Sequence, residues 1–333
     1  MREFWRQIIH ALEAGQPVEL VSILSSSGST PRGAGAMMAV FAGGRSAGTV
    51  GGGNVEYEAQ RLAAELLEKG AGAVREFRFV QGDAASLGMV CGGDVTLHFQ
   101  FLPGGDRHAV AVLRDVLEAF GGSADTWLLR RLEGERVTDM GTGSRDGFRH
   151  LRETPPEGLL ESRTAVRDGW ASMQVVRAGK VYIFGGGHVS QALVPVIAAA
   201  GFRPVVYDDR PEFSNPALFP AAEGTLCGDF KDLSQRVAVT ADDYVVVMTR
   251  GHQADYEVLT QTLRSGAKYI GCIGSKKKLS ICRDRLLAAG FTAEEYAKVH
   301  APIGLAIGAE TPEEIAVSVT AEMIAVRAGH KVP

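Results

Sequence analysis

The stretch Val181-Tyr-Ile-Phe-Gly-Gly-Gly-His-Val-Ser190 runs from four apolar residues into three glycines and then into a helical pattern. This order predicts a buried strand that ends in a tight turn at the start of a helix. Glycines let the backbone approach a pyrophosphate closely, and the helix dipole favours its negative charge. Because the same layout is typical of nucleotide-binding sheets, we expect Gly185, Gly186 and Gly187 to bind a phosphate group.

Beyond this turn, short apolar strands alternate with helices almost to the end of the chain. Apolar strands separated by helices predict a parallel sheet that is covered by helices on both faces. The C-terminal domain, residues 171–333, is therefore expected to be a Rossmann-like, doubly wound α/β domain. The expected strands are 181–184, 204–208, 222–226, 243–248, 268–273 and 297–300, and the expected helices are 188–200, 254–265, 276–289 and 312–328.

The N-terminal part, residues 1–170, predicts a second domain of mixed strands and helices. One of its helices is expected over 55–69, with Asn54 as its N-cap and Gly70 as its stop. The segment 104–170 is less regular, and we place the domain boundary between residues 165 and 178. The other expected elements are helices over 3–14 and 107–120, strands over 17–24, 36–41 and 95–101, and a hairpin with strands 127–132 and 135–140.

Composition excludes several classes of protein. The formal net charge of -4 gives no sign of a nucleic-acid or anionic membrane partner. No apolar run is long enough to span a bilayer, and the first residues lack the apolar core of a signal peptide. The four cysteines form no Cys-x-x-Cys pair, which argues against a disulfide framework and a cysteine zinc site. We therefore expect a cytoplasmic protein.

Polar side chains follow several of the predicted C-terminal strands. In an open parallel sheet, ligands bind outside the carboxyl ends of the strands. Asp208 ends the second strand, about 20 residues after the glycines, where an acid commonly binds a nucleotide ribose. Each histidine taken alone is more typical of a hydrogen-bonded turn, and a lysine run of a solvated helix start. Their shared edge nevertheless predicts an anionic ligand. The expected cofactor-binding residues at this edge, with Asp208 at the ribose, are His188, Asp208, Arg250, His252, Ser275, Lys276 and His300.

The N-terminal domain has three further candidate sites. Arg32 follows a proline in a stiff turn that suits an oxyanion, and Gly51, Gly52 and Gly53 precede a helix start that favours anions. Cys91 lies in a glycine-rich loop, where an exposed thiolate is a soft ligand for a transition metal. The alternatives are plain tight loops and a small buried thiol. We interpret the remaining cysteines, Cys227, Cys272 and Cys282, as packing residues.

Together these motifs resemble the XdhC/CoxI family, the xanthine dehydrogenase accessory proteins. The N-terminal resemblance rests on Ser26-Ser-Gly-Ser-Thr-Pro-Arg-Gly-Ala-Gly-Ala-Met37, Gly48-Thr-Val-Gly-Gly-Gly-Asn-Val-Glu56 and Gly88-Met-Val-Cys-Gly-Gly93. The C-terminal resemblance rests on the glycine turn, Tyr207-Asp-Asp-Arg-Pro-Glu212, Thr249-Arg-Gly-His252 and His300-Ala-Pro-Ile-Gly-Leu305. The chain departs from the family pattern at Ser190, in place of a third glycine, and at Ala306, where an aspartate is common.

The resemblance implies a non-catalytic carrier. Family members bind molybdenum cofactor, as molybdopterin or its cytidine dinucleotide form, and assist its sulfuration by a cysteine desulfurase-like partner. They help to insert the cofactor into a xanthine dehydrogenase-type molybdenum hydroxylase apoenzyme, and a homodimer is expected. The resemblance also implies that Cys91 holds the molybdenum, while the Rossmann domain takes the dinucleotide part of the cofactor, or a separate nucleotide such as NAD.

Two other functions remain open at the level of sequence. An NAD(P)-dependent oxidoreductase would use His252 or Lys276 for proton transfer beside the nicotinamide. A degenerate Rossmann scaffold would contact a partner protein and bind neither ligand. The glycine-rich loop around Cys91 favours the carrier, because a dehydrogenase has no evident need for it.

Overall fold

The structure, a computed structural model, describes residues 1–28, 32–79, 93–122, 124–161 and 163–330. The chain divides into two compact units, Met1–Ala178 and Gly179–Pro333. Within the described ranges, no helix has both the length and the apolar character needed to cross a membrane.

The first unit contains two antiparallel sheets, each with five described strands. In the first sheet the strands lie in the order β3–β2–β1–β5–β4, and the apolar face of β1 packs against α1 while its opposite face packs against α2. The elements are α1 (Arg2–Glu13), β1 (Val18–Gly28), β2 (Met37–Phe41), β3 (Ser46–Gly48), α2 (Gly53–Lys69), β4 (Ala73–Phe79) and β5 (Gly93–Leu102).

Helix α2 confirms the predicted stop but not the predicted start. Gly70 ends the helix in the left-handed conformation with φ 63°, a region that glycine enters at little cost. The N-cap is Gly52 and the helix begins at Gly53, so the expectation that Asn54 caps the helix is wrong. The carboxylate of Glu56, in the first turn, instead accepts the N–H groups of Gly51 and Gly52, just before the helix.

The second sheet of this unit is formed by the segment that was least regular in the sequence. The predicted hairpin is confirmed as β6 paired with β7, and the strand order is β8–β7–β6–β10–β9. The expected domain boundary at 170/171 differs from the observed division because strand β10 pairs with β6 and thus belongs to the first unit. The elements are α3 (Arg107–Ala119), β6 (Thr126–Glu133), β7 (Arg136–Ser144), β8 (Gly147–Arg149), β9 (Ala165–Arg167) and β10 (Trp170–Val176).

A fully buried arginine connects the two sheets of the first unit. Arg130 of β6 donates to Ser22 Oγ of β1 at 2.9 Å and contacts Met173 Sδ of β10 at 2.9 Å. No carboxylate forms an ion pair with it in the described part of the chain, and burial lowers the pKa of Arg130 to about 10. Burial, assisted by this positive charge, lowers the pKa of His98 to about 3 and keeps that ring neutral.

The second unit confirms the predicted parallel sheet. Its six described strands lie in the order β13–β12–β11–β14–β15–β16, and every pairing is parallel. Because β12 and β14 flank β11 on opposite sides, the glycine turn after β11 lies at the point where the strand order reverses. The elements are β11 (Val181–Phe184), α4 (His188–Ala199), β12 (Pro204–Asp208), β13 (Gly224–Cys227), β14 (Tyr244–Val247), α5 (His252–Thr262), β15 (Tyr269–Cys272), α6 (Lys276–Ala288), α7 (Ala293–Tyr296), β16 (Val299–His300) and α8 (Pro312–Arg327).

A buried carboxyl group makes the stability of the first unit depend on pH. Glu19 of β1 is fully buried, and neither of its carboxyl oxygens has a hydrogen-bond partner among the described residues. Burial raises the pKa of Glu19 to about 9, so at neutral pH the folded chain holds a proton that the unfolded chain releases. The stabilising proton is therefore fully held at acidic pH and is lost as pH rises toward 9.

We expect Glu19 to lower the free energy of unfolding by up to about 1.4 kcal/mol per pH unit as pH rises above the ordinary range of a glutamate. Glu19→Gln should flatten this pH profile. Urea unfolding followed by tryptophan fluorescence measures it, because Trp5, Trp127 and Trp170 are all buried in the first unit. The control is Glu133→Gln, at an exposed position of β6. Parallel profiles for wild type and Glu19→Gln would contradict the prediction.

Candidate anion-binding site

The glycine turn of the second unit has two glycines that packing requires and one that faces open space. Gly185 has φ +109°, and a Cβ on Gly186 would lie 1.9 Å from the carbonyl oxygen of Phe213. Neither position therefore tolerates a side chain without a backbone shift. A Cβ on Gly187 would meet nothing within 4 Å, which leaves room for a ligand at the start of α4.

Ser190 stands where a third glycine is usual, and its small side chain preserves the packing of α4 on the sheet. The residue is fully buried, and its hydroxyl donates to the carbonyl oxygen of Gly185 at 2.5 Å. Gln191 donates from Nε2 to the carbonyl oxygen of Gly186 at 3.2 Å. The departure from the glycine pattern thus stabilises the turn rather than blocking it.

Asp208, the last residue of β12, closes the glycine turn and uses all of its acceptor positions. Its Oδ2 accepts from the N–H of Gly186 at 2.8 Å and from Nη2 of Arg210 at 3.1 Å. Its Oδ1 accepts from the backbone N–H of Arg210 at 3.0 Å and from Nε at 2.9 Å. Burial alone raises the pKa of Asp208, but these hydrogen bonds outweigh burial and lower it.

The saturation of Asp208 bears on its expected ligand. An ionised carboxylate offers about four lone-pair positions, and four donors already occupy them here. Asp208 is also only 1% exposed. Ribose binding by Asp208 stays a prediction, and this geometry argues against it. The sequence contained no signal for the role of Arg210, because nothing in a local pattern distinguishes an internal ion pair from a ligand contact.

Two helices begin at the carboxyl edge of the sheet without a side-chain cap. The N-caps of α4 and α5 are Gly187 and Gly251, and no side chain in the described ranges caps the first N–H groups of either helix. Their first residues, His188 and His252, are both exposed, as is Arg250. Since strands β11 and β14 are neighbours, the two helix starts lie at the same edge of the sheet. Free N–H groups together with the exposed guanidinium of Arg250 are suited to an anion.

An ion pair links the loops on the two sides of the glycine turn. Nη2 of Arg250, after β14, lies 3.1 Å from Oδ2 of Asp209, after β12. Arg250 was predicted from the sequence as a site residue, but its partner was missed. Burial, together with the neighbouring carboxylate of Asp208, raises the pKa of Asp209, although Arg250 opposes the shift.

The residues after β15 divide into a cap, two exposed lysines and one lysine held in an ion pair. Ser275 caps α6 by accepting the N–H of Lys278 at 3.3 Å, and Lys276 is exposed. Lys278 Nζ lies 2.5 Å from Oδ2 of the buried Asp255. Burial raises the pKa of Asp255, while Lys278 and Thr249 oppose the shift. Sequence reasoning could not separate Lys278 from its neighbours, because only the fold brings it to Asp255.

His300 belongs to a buried hydrogen-bonded network. Its Nδ1 lies 3.1 Å from Oε1 of Glu322 on α8, and the hydroxyl of Tyr269 donates to Oε2 of the same carboxylate. The N–H of Gly304 also donates to that oxygen, at 2.9 Å. Burial alone raises the pKa of Glu322, but its partners lower it overall. His300 thus has an internal partner, and ligand binding by His300 stays a prediction.

In the first unit, the chain itself fills the glycine turn that resembles an anion site. Oε2 of Glu56, in the first turn of α2, accepts the N–H groups of Gly51 at 3.3 Å and Gly52 at 2.9 Å, and also the hydroxyl of Thr49. Burial alone raises the pKa of Glu56, but these donors lower it. Gly53 and Arg32 are exposed.

The four cysteines differ in their surroundings. Cys91 lies outside the described residues. Cys272 and Cys282 are buried, and burial raises the pKa of Cys282 to about 11, as expected for packing residues. Cys227 is exposed at the end of β13, so its interpretation as a packing residue is wrong. In the described part of the chain, no three His, Cys, Asp or Glu side chains are placed to hold a metal ion.

Sequence reasoning also missed a cavity of about 610 Å³ in the first unit. It lies between the end of β5 and the start of β7, and its lining includes Gln100, His108, Arg136, Asp139 and Arg152. Three backbone N–H groups bind the carboxylate of Asp139, and His108 Nε2 bonds the carbonyl oxygen of Met140 at 2.9 Å. Since these residues come from distant parts of the chain, no local pattern announces the cavity.

If Asp208 closes the turn, its loss should destabilise the second unit. We expect Asp208→Asn to lower the free energy of unfolding by about 2 kcal/mol, because Arg210 and Gly186 lose a charged acceptor. Hydrogen exchange of the amides of β11 and β12 measures the effect in that unit. Asp284→Asn, which breaks an exposed pair with Arg283, is the control and should change little. Equal exchange rates in the two variants would refute a structural role.

Comparison with known proteins places these features in a family. The family model described as XdhC Rossmann domain matches residues 181–323, and the model described as XdhC and CoxI family matches residues 11–78. The first match contains the whole glycine turn and the strand ends around it, and the second contains the glycine turn that Glu56 fills. The two matches together cover well over half of the chain.

Three curated relatives are similar to the chain. It is 26% identical over 336 residues to a probable xanthine dehydrogenase subunit of Bacillus subtilis, and this match covers 98% of each protein. It is 26% identical over 332 residues to the molybdenum cofactor insertion chaperone PaoD of Escherichia coli, and this match covers 98% of this chain and 88% of that protein. It is 33% identical over 149 residues to the uncharacterized protein YqeB of Escherichia coli, but this match spans only 27% of that protein.

A crystal structure described as a xanthine dehydrogenase from Bacillus halodurans has the same fold. Its TM-score is 0.79 at 24% identity, and the match covers 98% of this chain and 96% of that chain. At this identity the likeness concerns the fold alone. The two family models and the residues that they match, however, identify the chain as a member of the XdhC/CoxI family.

Proposed function

We propose that this protein is a non-catalytic carrier that binds molybdenum cofactor and helps to insert it into a molybdenum hydroxylase apoenzyme. Membership of the XdhC/CoxI family supports the proposal. So does the nearly full-length similarity to relatives named as a molybdenum cofactor insertion chaperone and as a probable subunit of xanthine dehydrogenase. In the proposed role the cofactor is cargo, which the protein receives, protects and passes on in the cytoplasm.

One observation carries the proposal for the second unit. At the carboxyl edge of its sheet, α4 and α5 both begin after N-cap glycines with uncapped N–H groups. Exposed Arg250 directly precedes the N-cap of α5. Backbone N–H groups and a guanidinium are the usual protein ligands of a phosphate. Molybdenum cofactor carries a phosphate or a cytidine diphosphate at the end remote from the metal. We therefore assign that end of the cofactor to this edge.

The molybdenum end needs a different ligand. A thiolate is a soft donor that suits a transition metal, and we propose Cys91 for this role. Cys227 is the only exposed cysteine among the described residues, and it ends an edge strand of the other unit. Sulfuration by a cysteine desulfurase-like partner and a homodimeric state are further parts of the proposal.

The geometry disfavours the alternative of an NAD(P)-dependent oxidoreductase. Such an enzyme holds the adenosine ribose through a carboxylate at the end of the second strand. Here that carboxylate, Asp208, is saturated by Arg210 and Gly186. The first N–H groups of α4 and α5 have no side-chain cap among the described residues, whereas the carboxylate of Asp208 already accepts four donors. This combination fits recognition of a phosphate without recognition of the sugar attached to it.

We expect Cys91→Ser to lower the retention of molybdenum cofactor at least about tenfold, because an oxygen donor replaces the soft thiolate. Native mass spectrometry of the full chain mixed with molybdenum cofactor measures ligand mass and oligomeric state together. Cys227→Ser is the matched control, since it removes an exposed thiol outside the proposed site.

Equal retention by Cys91→Ser and wild type would refute the role of Cys91. Absence of any cofactor adduct on the wild-type chain, together with measurable NADH turnover, would refute the carrier and favour the oxidoreductase. An adduct without turnover supports the carrier.

A further inference from the structure

The cavity of the first unit lies where strands β5 and β7 each have an open edge. Strand β4 begins at Ala73, opposite Phe99, so the last residues of β5 pair with β1 alone among the described strands. Strand β7 pairs with β6 from Arg136 onward, but β8 joins its other edge only from Thr142. The space of about 610 Å³ beside these edges has the size of a small-molecule site, for which volumes of about 300–1,000 Å³ are usual.

A buried amide in the cavity wall lacks a strong hydrogen-bond acceptor. Gln100 lines the cavity and is only 6% exposed. Its Oε1 accepts from Nη1 of Arg130 at 3.4 Å, and this contact fixes the orientation of the amide because a guanidinium has no acceptor. Its Nε2 donates to Sδ of Met140 at 3.4 Å, and a thioether sulfur accepts only weakly. An oxygen atom in the cavity would complete the hydrogen bonding of this amide.

Arg130, which contacts the far side of this amide, carries a positive charge that no described carboxylate neutralises. Burial lowers its pKa only to about 10, so the guanidinium stays charged at neutral pH. Its Nε is buried and has no hydrogen-bond partner within the described ranges. A buried cation without a counterion is costly, and its field is weakly screened in a low dielectric. This field favours negative charge in the adjoining cavity.

The acidic residues of the cavity wall are already bound within the protein. Asp139 accepts three backbone N–H groups, and Asp106 accepts two N–H groups at the start of α3. Glu135 forms an ion pair with Arg75 at 2.6 Å. The described lining therefore offers a cation no carboxylate without an internal partner.

Two arginines of the lining, in contrast, are exposed and form no ion pair with a described residue. Arg136 begins β7, and Arg152 follows β8. Together with Arg130 they give three guanidiniums, whereas Asp106 and Asp139 are the two lining carboxylates that no described cation pairs with. This balance favours a ligand with a single negative charge.

From these observations we infer that the cavity between β5 and β7 is a ligand site for small organic monoanions of the carboxylate class. Gln100 donates to the carboxylate, and Arg136 and Arg152 attract it. The rest of the molecule contacts the apolar part of the lining, which includes Ala71, Phe99, Phe101, Leu102, Pro103 and Val137. The site belongs to the first unit, whereas the anion site of the carrier belongs to the second, so the inference goes beyond the proposed function and does not depend on it.

Benzoate tests the inference, because it joins one carboxylate to an apolar ring. We expect it to bind the full chain in ligand-observed NMR titrations at low salt, and benzamide, its neutral isostere, to bind at least about tenfold more weakly. Acetate, which keeps the charge but lacks the ring, should also bind more weakly than benzoate. Absence of benzoate binding, or equal binding of benzoate and benzamide, would overturn the inference.

Variants of the lining locate the bound benzoate. Arg136→Gln and Arg152→Gln should each weaken its binding about threefold to tenfold, because each removes a cation from the cavity. Gln100→Glu should weaken binding further, since the new carboxylate pairs with Arg130 and repels the ligand. A melting temperature of Gln100→Glu at or above that of wild type shows that the loss of binding is not unfolding. Unchanged benzoate affinity in both arginine variants would refute the site.

The matched control is Arg145→Gln. It removes an exposed arginine from the turn between β7 and β8, at the opposite end of β7 from Arg136 and outside the cavity lining. If this variant weakens benzoate binding as much as Arg136→Gln and Arg152→Gln do, net charge explains the effect and the inference falls. Cofactor retention is a separate measurement, so a chain that retains molybdenum cofactor but fails the benzoate test leaves the carrier intact.

Discussion

The carboxylate of Asp208 is the constraint on which the second unit depends. By accepting the N–H of Gly186 and three donors of Arg210, it joins the end of β12 to the turn after β11. Gly186 packs so closely on the backbone of Phe213 that no side chain fits there. These contacts hold the turn, and α4 begins directly after it with its first N–H groups uncapped. An anion site at this edge needs that rigidity, because N–H groups bind a phosphate only when they converge on it.

Two glycine turns that look alike in the sequence differ in the carboxylate that binds their N–H groups. In the first unit, Glu56 reaches back to the N–H groups of Gly51 and Gly52, the two residues before α2. In the second unit the carboxylate is Asp208, at the end of β12. Of the N–H groups of the turn it accepts only that of Gly186, the residue before the N-cap of α4. The two turns thus differ in which of their N–H groups a carboxylate of the protein already binds. A glycine-rich motif before a helix is a sign of an anion site only when no side chain of the protein already occupies it.

The fold of the second unit followed from local patterns to within a few residues, since each buried strand and covering helix has its own apolar period. The N-terminal helices and the hairpin of β6 and β7 were predictable for the same reason. The pairing of the first unit was not. Its sheets depend on contacts such as Arg130 with Ser22 and Met173, which join residues far apart in the chain. The residues of the site were predicted as a set, but Asp209, Arg210, Lys278 and Glu322 were not identified as their partners.

The sequence by itself determined the family, the parallel α/β sheet and the edge at which polar residues gather, because these follow from the types of residue and their spacing along one strand or helix. Only the tertiary structure decided what each polar residue does. It assigned Asp208 and His300 to internal hydrogen bonds, left the starts of α4 and α5 uncapped, and brought Arg250 to Asp209. An aspartate or an arginine reads the same in the sequence whether its side chain is fully hydrogen-bonded within the protein or accessible to a ligand. Which of the two applies depends on neighbours that only the folded chain supplies.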